Sequence, residues 1–152
     1  MHLLNTRFGA VDYSEEDVVT FRDGMIGFPQ FRNYLILSHK PGSPFRWLQS
    51  IDEPPLAFLI VDPHNYVPDY EFEVTGSQAS ELELQENTGR LVFTTVSIPG
   101  GDPQNMTLNL AGPIVINAET RQAKQLVLDE GAYTIKHRVI PAADRASEKQ
   151  AA

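Results

Sequence analysis

The chain has no cysteine among its 152 residues. That excludes a disulfide framework, a thiolate zinc centre and a cysteine nucleophile, and it fits a reducing cytoplasm. Basic charge is scarce. There are 12 Lys and Arg against 20 Asp and Glu, a formal net charge of -8. Proteins that hold nucleic acid displace counterions with clustered Lys and Arg. No such cluster is present, so direct binding of RNA or DNA, or of an anionic lipid face, is not expected. Long apolar runs are also lacking. The longest, residues 56–61, falls far short of the roughly 20 residues that span a bilayer. The first residues, Met1-His2-Leu3-Leu4-Asn5-Thr6-Arg7, have no apolar signal-peptide core. A cytoplasmic protein with no membrane partner is the expectation.

Signatures of catalysis are missing too. There is no Gly-rich phosphate loop and no Gly-x-Ser-x-Gly elbow. Gly24-Met25-Ile26-Gly27 reads as a turn. The four histidines His2, His39, His64 and His137 show no metal-ligand spacing. Asp62-Pro63-His64 is the only close carboxylate–imidazole pair, and an Asx turn with an exposed imidazole explains it. We expect no catalytic residue, no metal and no cofactor.

Turn residues, in contrast, are plentiful. Eleven Pro and ten Gly separate short runs rich in β-branched and aromatic residues. Strands are predicted at 3–8, 18–21, 34–38, 46–50, 57–61, 91–98, 106–110, 113–117 and 125–128. In Met106-Thr107-Leu108-Asn109-Leu110 the apolar side chains fall on one face, the period of two that a half-buried strand requires. The run from Leu91 to Ile98 begins more continuously apolar, as a central strand does. Asn117-Ala118-Glu119-Thr120 is a turn and suggests a hairpin. Residues 77–86 favour a short helix, with Ser77 or Ser80 as N-cap and Ser80/Glu83 at capping-box spacing. Glu81-Leu82-Glu83-Leu84 also alternates as a strand does. Trp47, Phe21, Phe28 and Phe31 read as core or core-edge residues. The whole predicts an all-β fold with at most one short helix, a small antiparallel barrel-like or sandwich domain over residues 1–140. A loose tail, 141–152, carries no large apolar residue.

Seven carboxylates and no Lys or Arg lie between Asp62 and Glu86. In the densest part Asp69, Glu71 and Glu73 alternate with Tyr70 and Phe72. On an extended strand the three carboxylates share one face, roughly 7 Å apart per step. Such a face is a solvated edge, a hard-cation site or a docking surface for a basic protein. The cation reading lacks the Gly-containing loop and close Asn and Asp that Ca²⁺ sites add.

Several segments, taken together and in order, resemble the flagellar assembly factor FliW family. They are Phe21-Arg22-Asp23-Gly24-Met25-Ile26-Gly27-Phe28, Ser43-Pro44-Phe45-Arg46-Trp47-Leu48-Gln49-Ser50, Leu56-Ala57-Phe58-Leu59-Ile60-Val61-Asp62-Pro63, Pro68-Asp69-Tyr70-Glu71 and Asn105-Met106-Thr107-Leu108-Asn109-Leu110-Ala111-Gly112-Pro113-Ile114-Val115-Ile116-Asn117. The resemblance implies a small all-β, barrel-like fold that binds CsrA, a dimeric RNA-binding translational repressor, and also binds flagellin. It implies that the two compete: when flagellin is exported, the freed protein captures CsrA and lifts repression of flagellin mRNA. Combined with the pattern, it makes Asp62, Asp69, Glu71 and Glu73 the expected attraction for the basic partner, and Tyr70 and Phe72 the expected anchors. The alternatives are a flagellin export chaperone without CsrA control, whose surface is an apolar groove, and a small divalent-metal-dependent enzyme.

Overall fold

A computed structural model describes residues 1–38, 40–128 and 133–139. The expected tail, 141–152, lies outside the described residues. The elements are β1 (His2–Thr6), β2 (Gly9–Asp12), β3 (Val19–Phe21), β4 (Asn33–Ser38), β5 (Phe45–Ser50), β6 (Ala57–Val61), α1 (Gly76–Glu81), β7 (Arg90–Ser97), β8 (Thr107–Leu108), β9 (Ile114–Asn117), β10 (Gln122–Gln125) and β11 (His137–Arg138). The strands predicted from sequence overlap observed ones, β6 with the expected bounds. The 106–110 run shortens to β8. The 125–128 run meets β10 only at Gln125, and residues 126–128 lie outside the strands. The short strands β2 and β11 carry no apolar periodicity and were not expected.

Seven strands close into a barrel in the order β7-β6-β5-β4-β3-β10-β9, and β9 returns to β7. A closed barrel removes the exposed edges that a sandwich of short strands would leave. All its pairs are antiparallel except β3–β10, where Thr20 lies opposite Gln122 in parallel register. The strand expected to be central is so. Along one edge β7 pairs with β9 at residues 90–93 and with β8 at 96–97, and it pairs with β6 through Thr94 and Thr95. Beyond β7, β8 and β11 extend the sheet outside the barrel.

Alternation along the strands places Val19, Phe21, Tyr34, Leu48, Ile60, Phe93, Ile114 and Ile116 in one inner core. The outward side chains of the same strands are covered as well. Val61 packs with Tyr70, Met106, Leu108 and Leu110, and Val115 with Leu82 and Leu126. Both Ile60 and Val61 have zero exposure. Burial on both faces is why β6 and β9 read as unbroken apolar runs. The hairpin β1–β2 packs on the outer side of β5. Phe8 meets Trp47 at 5.3 Å between centroids, and the Arg7 guanidinium lies 4.8 Å above the indole. Trp47 is thus a half-buried outer-face residue, whereas Phe21 is fully buried and Phe28 and Phe31 pack at the core's edge.

Asp52 ties two loops together. Its Oδ2 accepts from the backbone N–H groups of Arg32 (2.7 Å) and Asn33 (3.0 Å), and its Oδ1 from the Asn33 amide at 3.2 Å. Burial pushes this carboxyl up, but the three hydrogen bonds and the Arg32 charge outweigh it and hold it below the usual carboxylate range. A depressed native pKa contributes stability above the unfolded value, and that contribution is lost as pH falls below about 4. Asp52→Ala is expected to cost about 1 kcal/mol at neutral pH. Urea melts at pH 7 and pH 3 should show the gap between variant and wild type closing at the lower pH.

Candidate functional site

Residues 62–86 form a strap around the outside of the barrel, which opens on an Asx turn. Asp62 Oδ1 accepts the His64 backbone N–H at 2.9 Å and caps a 3₁₀ turn over Pro63–Asn65. It also receives the His64 ring at 2.7 Å, and the other ring nitrogen lies 3.0 Å from the Tyr70 carbonyl. Asp62 therefore holds the strap's first turn. Tyr70 follows and is buried, with 2% exposure. Its hydroxyl donates to the Leu110 carbonyl at 2.6 Å, and its ring meets Tyr133 edge-on at 4.6 Å. Burial pushes the phenol far above its ordinary pKa. The expectation that Tyr70 faces a partner does not match this placement: the side chain is committed to the barrel wall. Phe72 is half-buried and packs against both the Val61–Met106–Leu108 cluster and the Leu82–Val115–Leu126 cluster.

Asp69, Glu71 and Glu73 are exposed, while Tyr70, Phe72 and Val74 turn toward the barrel. The two-faced alternation holds, yet among the described residues the segment belongs to no strand. It is fixed by its inward side chains and by the Glu71 N–H, which donates to the Tyr133 hydroxyl at 3.1 Å. Among the described residues none of the three carboxylates has a salt-bridge partner. Among the same residues no group of three or more His, Asp and Glu is placed to hold a metal ion.

Helix α1 ends the strap. Its N-cap is Thr75, two residues before Ser77 and five before Ser80. Thr75 Oγ1 accepts from the Gln78 N–H at 3.2 Å, and Gln78 Oε1 from the Thr75 N–H at 2.9 Å. Glu83 then adopts a left-handed φ of 55°, and Leu84 N–H bonds back to the Ala79 carbonyl at 2.8 Å. This Schellman reversal explains the strand-like Glu81-Leu82-Glu83-Leu84 pattern, in which Leu82 and Leu84 pack inward. Buried Asn117 pins the strap's end. It donates to the Leu82 carbonyl at 2.8 Å while its Oδ1 accepts from Glu119 and Thr120 in the β9–β10 turn. Lys124 adds an ion pair to Glu81 at 3.0 Å and to Asp23 at 2.9 Å. The hydrogen bonds to Asp23 and Glu81 raise its pKa. Asp62 and Glu81 thus have partners within the fold, whereas Asp69, Glu71 and Glu73 in the middle of the strap, and Glu83 and Glu86 at its end, face solvent with no salt-bridge partner among the described residues.

A second feature lies outside the strap. An apolar cleft of about 480 Å³ is lined by Met25, Ile26, Trp47, Phe58, Val96 and Asn109, among others, and Ile26 is 54% exposed beside it. Sequence reading placed Met25 and Ile26 in a turn but gave no sign of a cleft, because its walls come from strands distant in the chain.

The family model for the FliW protein matches residues 2–139. The chain belongs to the FliW family. It is similar to the flagellar assembly factor FliW of Magnetococcus marinus, at 36% identity over 152 residues, covering 100% of this chain and 93% of the relative. The FliW of Caldanaerobacter subterraneus subsp. tengcongensis is 42% identical over 139 residues, 90% of this chain and 92% of that one. A crystal structure of the flagellar assembly factor FliW superposes with a TM-score of 0.84 at 28% identity, covering 93% of this chain and 98% of the other. Membership in the FliW family carries a role in flagellar assembly. Among the described residues, no helix is long and apolar enough to cross a membrane.

Proposed function

We propose that this chain acts in flagellar assembly as a binding protein without catalysis in the cytoplasm. It binds the repressor CsrA through the acidic strap, lifts repression of flagellin mRNA, and is itself sequestered by flagellin. The observation that carries the reading is the middle of the strap. Asp69, Glu71 and Glu73 are exposed, have no salt-bridge partner among the described residues and sit on a segment whose inner face is locked to the barrel. Charge held on a fixed frame loses little entropy on docking and steers a cationic partner. Phe72 is the aromatic at the contact's edge. Tyr70 supports the strap from beneath, and Asp62 shapes its entry.

Calorimetric titration of CsrA at low and high salt tests this. An Asp69→Lys/Glu71→Lys/Glu73→Lys variant is expected to bind about 10- to 100-fold more weakly at low salt, with the difference shrinking as salt screens it. Unchanged affinity in a folded variant sinks the assignment.

The apolar cleft beside Ile26 favours a second reading for flagellin: capture of an amphipathic helix, as an export chaperone does. Flagellin affinity that holds steady across salt concentrations supports that mode. A steep salt dependence places flagellin on the strap with CsrA.

A further inference from the structure

Beside the strap's carboxylates lies a cleft of about 320 Å³, with Phe72, Tyr133 and Val127 as its apolar surfaces and Glu71, Glu73 and Gln78 on its polar side. Val127 is 71% exposed, the most exposed of the large apolar side chains among the described residues. Its position is not free to relax. Leu126 and Leu128 on either side donate their N–H groups to the carbonyls of Pro113 and Ala111, both at 2.8 Å. Leu126 is buried at 1% exposure. With both neighbours tied to the same strand connection, alternation forces Val127 outward. The opposite wall is equally fixed, because the Tyr133 hydroxyl accepts the Glu71 N–H and its ring packs on Tyr70. Among the described residues, no Lys, Arg or His lines the cleft.

We propose that this cleft takes an apolar side chain of a protein partner that is flanked in its own sequence by Lys or Arg. The floor buries the apolar group, and Glu71 and Glu73 meet the flanking cations. A single exposed valine is ordinary on a protein surface. A rigidly presented valine that shares a concave site with a half-buried Phe and Tyr and an acidic rim is matched to a cationic amphipathic segment. An acidic or neutral segment would leave the rim uncompensated. The inference rests on the antagonist reading for the kind of partner and adds the concave apolar surface of Val127 and Tyr133 to the carboxylates and the Phe72 edge which that reading already uses.

The test uses the full chain and two synthetic peptides of equal length and charge, one alternating Lys with Leu and one alternating Lys with Ser. The Lys/Leu peptide is expected to bind about 10-fold more tightly, as burial of one aliphatic side chain allows. Val127→Ser should reduce it to the level of the Lys/Ser peptide, and Glu71→Gln/Glu73→Gln should weaken both peptides together. Val127→Thr, with the same shape, is a milder variant that secures the measurement if the serine variant melts early. Equal binding of the two peptides to wild type, or a Lys/Leu preference that survives in Val127→Ser and Val127→Thr, overturns the proposal. Titrating CsrA separates the two readings. If CsrA fails to bind wild type while the Lys/Leu preference depends on Val127, the cleft stands and the antagonist reading falls. If CsrA binds wild type and both Val127 variants equally, the cleft falls and the antagonist reading stands.

Discussion

Tyr70→Ala is expected to lower the unfolding free energy by about 3–5 kcal/mol, the range for removing a large buried aromatic. The side chain is 2% exposed and packs with Val61, Met106, Leu108 and Leu110. Its hydroxyl holds the Leu110 carbonyl across a sequence separation of 40 residues. Truncation therefore opens a cavity beneath the strap and orphans a buried acceptor. Tyr70→Phe isolates the second effect and should cost about 1–3 kcal/mol, the penalty for a buried group left unpaired. Urea denaturation followed by circular dichroism measures both. A residue that served only to grip a partner would leave the free protein's melting unchanged on truncation and show its loss in binding alone. Wild-type stability in Tyr70→Ala overturns the structural role argued for it.

Gly24→Ala is expected to cost about 2–4 kcal/mol, combining left-handed strain with overpacking. Gly24 has φ +68°, and a Cβ built on it would stand 2.5 Å from the Phe28 carbonyl oxygen and 2.7 Å from Pro29 Cα. Both are backbone atoms, and they cannot swing aside as a side-chain tip can. The turn is also closed on itself: Gly24 N–H donates to the Phe21 carbonyl at 3.0 Å and Phe28 N–H to the Met25 carbonyl at 2.8 Å. Displacing it moves Met25 out of the inner core and Ile26 away from the apolar cleft. Gly27→Ala is the control. Gly27 has φ +90° but nothing within 4 Å of its missing Cβ, so strain alone, about 1–2 kcal/mol, applies. Thermal melts should show a Tm drop of several degrees for Gly24→Ala and a smaller one for Gly27→Ala. Equal drops would mean that the close approach to Phe28 and Pro29 is not what makes glycine necessary.

The strand positions were legible because each is local. Residues 57–61 and 91–98 carry their own apolar pattern and are bounded by turn residues. The strands that escaped notice, β2 and β11, are short and lie outside the barrel wall, where little burial imprints a pattern on the sequence. The helix was legible as an element but not in its caps. Thr75 and Gln78 cap it mutually, whereas Ser80 and Glu83 have the same spacing and lie at its end. Spacing alone does not choose between overlapping boxes.

The acidic segment divides in the same way. Its composition, its lack of Lys and Arg, and the alternation of Asp69, Glu71 and Glu73 with Tyr70 and Phe72 are properties of the chain, and sequence by itself determined them. It also determined the all-β class, since turn residues and strand periodicity are local. Only the tertiary structure decided that the barrel closes through β7 and β9, that β3 and β10 run parallel, that the alternating segment is a strap instead of a strand, and that Tyr70 lies beneath it while Val127 and Tyr133 stand beside it. Alternation reports only that one side of a segment is covered. What covers it depends on pairings such as Tyr70 with Leu110 and Glu71 with Tyr133, 40 and 62 residues apart, and such contacts leave no periodic trace in either partner's local sequence.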